Sequence, residues 1–226
     1  MPVFRLTDKL VFPDPELAED GLLAIGGDLG LPRLLAAYGC GVFPWFGEDD
    51  PLLWWSPPER ALLHPGHLHL SARTRRSLRS RPFEIRLDTA FEAVIGHCSR
   101  VPRPGQDGTW ITPAMQAAYV ELHRAGHAHS IEAWRDGELQ GGLYGVALGG
   151  AFFGESMFSL APEASRAALV ALDERLVAWG YRMLDGQMPH EGLLGYGFQS
   201  VPRSLFLAEL AEALRQPGHP GSWAHA

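Results

Sequence analysis

Cysteine is scarce in this chain: only Cys40 and Cys98 occur among 226 residues. Two thiols so far apart in sequence make no disulfide framework, which points to a reducing compartment, the cytoplasm. Lysine is scarcer still, with Lys9 alone, and no function follows from that. No apolar run reaches the roughly 20 residues that a membrane-spanning helix needs, so no membrane role is expected. The opening Met-Pro-Val-Phe-Arg-Leu-Thr-Asp lacks the basic-then-apolar order of a secretory leader. The glycine-rich stretch Gly21–Gly30 has no Gly-Lys-Ser/Thr, which excludes a nucleotide P-loop. Net charge is −7, which argues against a generally basic nucleic-acid protein.

What is present is an ordinary globular composition, 46% hydrophobic and 20% charged. Residues 1–62 are rich in Gly, Pro and Trp and read as a small N-terminal domain, with one short helix over Pro32–Tyr38. Residues 63–226 alternate helices and strands. Asp88 is placed to cap a helix carrying Phe91, Val94, Ile95 and Cys98. Thr112-Pro113 opens another, closed by Gly126. A strand over His127–Arg135, an Asp136-Gly137 turn and a return strand over Glu138–Ala147 predict a hairpin. Another turn at Gly149-Gly150 leads into a strand over Ala151–Met157. A helix over Ala164–Trp179, a strand over Tyr181–Asp185 and a helix near Ser204–Leu214 follow. This order predicts an α/β or α+β layer with a central mixed sheet.

Several segments carry chemistry. Glu155 lies among Phe152, Phe153, Met157 and Phe158, where an idle carboxylate would be costly, so it is expected to be paired or perturbed. Ser156 reads as structural, because Phe158 breaks the Gly-x-Ser-x-Gly elbow. Asp185 and Gln187 stand two residues apart at a strand end, which is either a site or a surface turn. Arg73, Arg75, Arg76, Arg79 and Arg81 fall within nine residues with no acid between them. They form either a solvated basic face or a phosphate track. Trp45, Trp54, Trp55 and Trp110 are core residues or stacking platforms for bases. The pair His127 and His129, and the cluster His64, His67 and His69, lack a further ligand at metal-binding spacing, so no metal is expected.

Together these segments resemble the leucyl/phenylalanyl-tRNA–protein transferases. The matching stretches are Gly21–Leu29, Gly41–Phe46, Trp54–Pro57, Gly108–Thr112, Gly126–Glu132, Gly154–Ser159 and Leu184–Gln187, in family order over residues 21 to about 203. The resemblance implies a larger domain of acetyltransferase-like (GNAT) fold. It implies an aminoacyltransferase of the bacterial N-degron pathway. Such an enzyme takes leucine, phenylalanine or methionine from aminoacyl-tRNA and places it on the N-terminal Arg or Lys of acceptor proteins. No cofactor is implied, and a monomer is expected.

By motif, Gln187 would hold the reacting amine or ester, oriented by Glu155, and Asp185 would act as base or as electrostatic partner. Trp45 and Trp110 would flank the terminal adenosine and the aminoacyl group. Leu143, Phe152, Met157, Leu169, Leu172 and Leu184 would line the pocket for the donor side chain, and the arginines Arg73–Arg81 would grip the acceptor stem. Two stretches depart from the family pattern: Gly186, where a bulkier residue is common, and Met188–Gly197. The competing enzyme reading is an acyl-CoA N-acetyltransferase of the same fold. It lacks its Gln/Arg-x-x-Gly-x-Gly/Ala loop: Gln140–Gly145 has glycines at the wrong steps. A tRNA-binding module without catalysis is the reading from another class.

Overall fold

The computed structural model describes residues 3–80, 82–101 and 109–224. Strand β1 (Phe4–Leu6) and strand β2 (Leu22–Gly26) are followed by helix α1 (Leu31–Gly39), β3 (Phe43–Pro44) and β4 (Leu53–Trp55). These four strands form one sheet in the order β1-β2-β4-β3. Next come β5 (Glu59–Leu63), α2 (Ala72–Ser80), β6 (Glu84–Leu87), α3 (Phe91–Cys98) and α4 (Pro113–Arg124). The chain continues through β7 (Ala128–Arg135), β8 (Glu138–Leu148), β9 (Ala151–Ser159), α5 (Ala164–Ala178) and β10 (Met183–Asp185). It ends with α6 (Glu191–Leu194), β11 (Gln199–Pro202) and α7 (Arg203–Ala213).

The second sheet has seven strands in the order β11-β5-β10-β9-β8-β7-β6. It is mixed: β9 and β10 are parallel, and every other pairing is antiparallel. β5 pairs with both β10 and β11, so the passage between the two sheets falls between Trp55 and Glu59. Apolar side chains cover both faces of the larger sheet. Phe153 joins the cluster that holds α1, α3 and α4, while its neighbour Phe152 joins the cluster under α5, as strand alternation requires. Among the described residues, no helix is long and apolar enough to cross a membrane.

Local chemistry explains the main elements. The Thr112 hydroxyl accepts the Met115 N–H at 3.3 Å, and Pro113 takes the first helical position of α4. Asp136 and Gly137 both have positive φ, 53° and 78°, the turn that matches the twist of a two-residue hairpin between β7 and β8. One expectation fails. Asp88 does not cap α3, whose preceding residue, Ala90, makes no side-chain cap. The Asp88 carboxylate instead accepts the N–H groups of Ser130 and Trp223 and faces His129 Nδ1 at 2.8 Å. Three partners in the core outbid one exposed turn.

Candidate active site

Glu155 owes its position to a break in a ladder. Tyr144 pairs with Ser156 and Gly145 with Gly154, so Glu155 is the extra residue of a β-bulge on β9. Gly145 allows it: a Cβ there would lie 2.2 Å from the Phe153 carbonyl oxygen and 2.4 Å from the Phe152 ring. A bulge re-aims its side chain, and here the carboxylate meets three donors. Tyr38 on α1 gives its hydroxyl to Oε1 at 2.7 Å, and Tyr119 on α4 gives its hydroxyl to Oε2 at 3.1 Å. Gln187 donates Nε2 to Oε1 at 2.7 Å. The two tyrosine hydroxyl oxygens also lie against each other, so with one proton apiece either can donate to its neighbour in place of Glu155. Burial pushes the Glu155 carboxyl up from 4.5 to about 7. The nearby Asp185 carboxylate adds to the rise, and the three donors offset part of it.

Gln187 is held in the left-handed region, φ 63°, which costs a residue with a side chain about 1–3 kcal/mol and gathers at functional sites. Its N–H donates to Asp185 Oδ1 at 2.8 Å, and its carbonyl accepts the Ala61 N–H at 2.8 Å. β10 stops at Asp185, so Gln187 lies in the turn beyond it and does not share a strand face with Asp185. Asp185 is fully buried and ion-paired with Arg60, whose Nη1 donates to the Gly41 carbonyl at 2.6 Å. Arg60 lies over the rings of Phe206 and Phe43, at 4.0 and 5.1 Å. Removing one partner of such a buried pair costs about 3–5 kcal/mol. Gly186 between them is crowded: a Cβ would lie 2.7 Å from Leu193 Cδ1 and 3.0 Å from the Phe198 ring. A larger residue at 186 would require Leu193 and Phe198 to shift.

Beside Glu155 lies a cavity of about 280 Å³. Leu143, Met157, Leu169, Leu172 and Leu184 line it, five of the six side chains expected there. Phe152 is fully buried in the same apolar cluster, outside the lining, with its ring against Trp223. Leu193, Tyr196 and Phe198 are also in the wall, with His190; sequence reasoning missed them because Met188–Phe198 has no apolar period. A second recess of about 660 Å³ holds Trp45, Trp55 and Trp110, with Glu48, Asp49 and Asp50 at its edge. Trp110 borders both spaces.

The remaining predicted residues lie elsewhere. Arg73, Arg75, Arg76 and Arg79 are exposed along α2, and Arg81 lies outside the described residues. His129 is a core residue stacked on Trp223 at 3.7 Å, and burial pushes it below its usual value. Among the described residues, no group of three or more His, Cys, Asp or Glu is placed to hold a metal ion.

The leucyl/phenylalanyl-tRNA protein transferase family model matches residues 62–211, and the model of that family's N-terminal domain matches residues 27–58. The chain belongs to the leucyl/phenylalanyl-tRNA protein transferase family. It is 52% identical over 226 residues to the leucyl/phenylalanyl-tRNA–protein transferase of Myxococcus xanthus, covering 99% of this chain and 97% of that one. With the transferase of Nitratidesulfovibrio vulgaris it shares 54% over 217 residues, 96% of this chain and 93% of that one. Among solved structures, the C-terminal domain of a putative lysylphosphatidylglycerol synthetase from Agrobacterium fabrum superposes with TM-score 0.46 and 12% identity, over 88% of this chain and 75% of that one. Glu155, Asp185 and Gln187 fall in the part matched by the transferase model, and Trp45 in the part matched by its N-terminal companion.

Proposed function

We propose that this transferase moves leucine or phenylalanine from its tRNA to the N-terminal Arg or Lys of an acceptor protein, and that the Glu155–Gln187 pair aligns the amine. The observation that carries this is the hydrogen bond from Gln187 Nε2 to Glu155, which itself lines an apolar cavity; Gln187 stands behind Glu155, outside that lining. An aminoacyl ester is already activated. The amine nitrogen attacks the ester carbonyl carbon, the C–N bond forms, the C–O bond to the ribose breaks, and the amine's proton passes to the departing oxygen. Such a reaction needs alignment more than a nucleophile, and positioning can supply about 7–11 kcal/mol of the barrier.

With its amide nitrogen spent on Glu155, Gln187 has its oxygen left to accept an N–H of the incoming amine. Asp185, tied to Arg60 and to the Gln187 backbone, serves as a fixed negative charge rather than a proton acceptor. The cavity takes the donor's side chain, Trp45 and Trp110 stack on the terminal adenosine, and the arginines of α2 grip acceptor-stem phosphates. The acids along both spaces suit a cationic N-terminus. We assign the seven-stranded sheet, with α3 and α4 on one face and α5 on the other, to the GNAT type, acting as a cytoplasmic monomer. An acyl-CoA reading is disfavoured because the stretch before α5, Ser159-Leu160-Ala161-Pro162-Glu163, has none of the glycines of a pyrophosphate-binding loop.

The test is transfer of labelled leucine from leucyl-tRNA, without ATP, to a protein beginning with Arg, Lys or Ala. Label on the first two and not the third is expected. Equal label on all three, or none despite bound tRNA, contradicts the reading.

A further inference from the structure

Tyr196 forms part of the cavity wall beside Glu155 and is fastened at both ends. Its hydroxyl accepts from Arg166 Nε at 2.9 Å, and its carbonyl accepts the His69 N–H at 2.8 Å. Arg166 is itself held, with Nη1 2.9 Å from Glu163 Oε1. Glu163 precedes α5 in the left-handed region, φ 70°. Arg166 stands one turn before Leu169, so α5 presents a polar anchor and an apolar wall residue on the same side.

We propose that Tyr196 sets the upper size of donor side chain accepted, and that Arg166 is the positioning residue that holds it there. The proposal rests on the cavity being the donor's pocket. The segment that carries Tyr196 has one short helix, α6, of four residues, with glycines at 192, 195 and 197. Such a segment has little rigidity of its own, and its position depends on its tethers. A wall that yields cannot reject a large side chain; a fixed one makes the oversized ligand clash. Tyrosine suits the place because its ring is apolar toward the cavity while its hydroxyl reaches a partner outside it. The bond to His69 fastens the same wall to the chain three residues before α2, the arginine-bearing helix.

The experiment compares the full chain with Arg166→Ala, Tyr196→Phe and the double variant. Each is supplied with leucyl-, phenylalanyl- and tryptophanyl-tRNA, and kcat and KM are measured separately. Each single variant is expected to raise the tryptophan-to-leucine ratio of kcat/KM by about tenfold. The double variant should do no more than either single, because both cut one bond. Tyr196→Phe keeps the ring, so folding is not at issue for that variant. Unchanged ratios in both single variants, or additive effects in the double, overturn the proposal while leaving the donor-pocket reading intact. Absence of leucine and phenylalanine transfer by the wild-type chain overturns both.

Discussion

Tyr38 and Gln187 meet on one atom, each donating to Oε1 of Glu155 at 2.7 Å. Tyr38 comes from α1, in the first 62 residues, and Gln187 from the turn after β10. The carboxylate therefore joins the N-terminal segment to the Gln187 amide, the group we propose aligns the substrate amine. The ionised carboxylate can only accept, so it fixes the Gln187 amide nitrogen toward itself.

Tyr38→Phe removes one of the donors that hold Glu155 below the value burial alone would impose. The carboxyl then rises further above about 7, and the ascending limb of the pH–rate profile moves to higher pH. The acceptor's own amine titrates in the same range, but its limb is common to both enzymes. Single-turnover rates with one acceptor between pH 6 and 9, on the order of tenfold lower for Tyr38→Phe at neutral pH, test this. Superimposable profiles for the two enzymes count against it.

Glu155 also makes a stability prediction. Its folded value, about 7, lies above the unfolded 4.5. Over that window the folded chain keeps a proton that the unfolded chain has lost, so stability falls as pH rises. The contribution is complete below 4.5 and gone once pH passes about 7. Glu155→Gln carries no such dependence. It should be more stable than wild type at pH 8, by about 1–2 kcal/mol, with the gap closing toward pH 4.5. Urea denaturation at both pH values decides it. A variant less stable at pH 8 than at pH 4.5, relative to wild type, reverses the sign and rejects the account of burial.

The arginines of α2 predict salt dependence. If Arg73, Arg76 and Arg79 each neutralise one phosphate, log affinity for aminoacyl-tRNA falls with log salt, and each Ala substitution lowers the slope by about one unit. Filter binding at several salt concentrations measures it. A slope unchanged in the triple variant leaves α2 as a solvated face.

Local chemistry made much of the frame readable: the Thr112 cap, the Asp136-Gly137 hairpin and the apolar stripe of α5 all depend on near neighbours. The site was legible only as residue types. Glu155 in an apolar run signalled a perturbed acid, but the bulge that aims it depends on the facing strand. Its partners Tyr38 and Tyr119 lie 117 and 36 residues away. Arg60, 125 residues from Asp185, left no trace at its own position, and its pairing alters what Asp185 can do. Phe152 misled for a related reason. It has the right chemistry for the pocket and shares its apolar cluster, but it packs against Trp223 outside the lining.

The most direct measurement is single-turnover transfer of phenylalanine to an acceptor with N-terminal Arg by Gln187→Ala, at saturating donor, with tRNA affinity measured in parallel. If Gln187 aligns the amine, the rate falls by about 100-fold or more while affinity stays within about threefold. A rate within about threefold of wild type contradicts the claim that this amide carries the reaction.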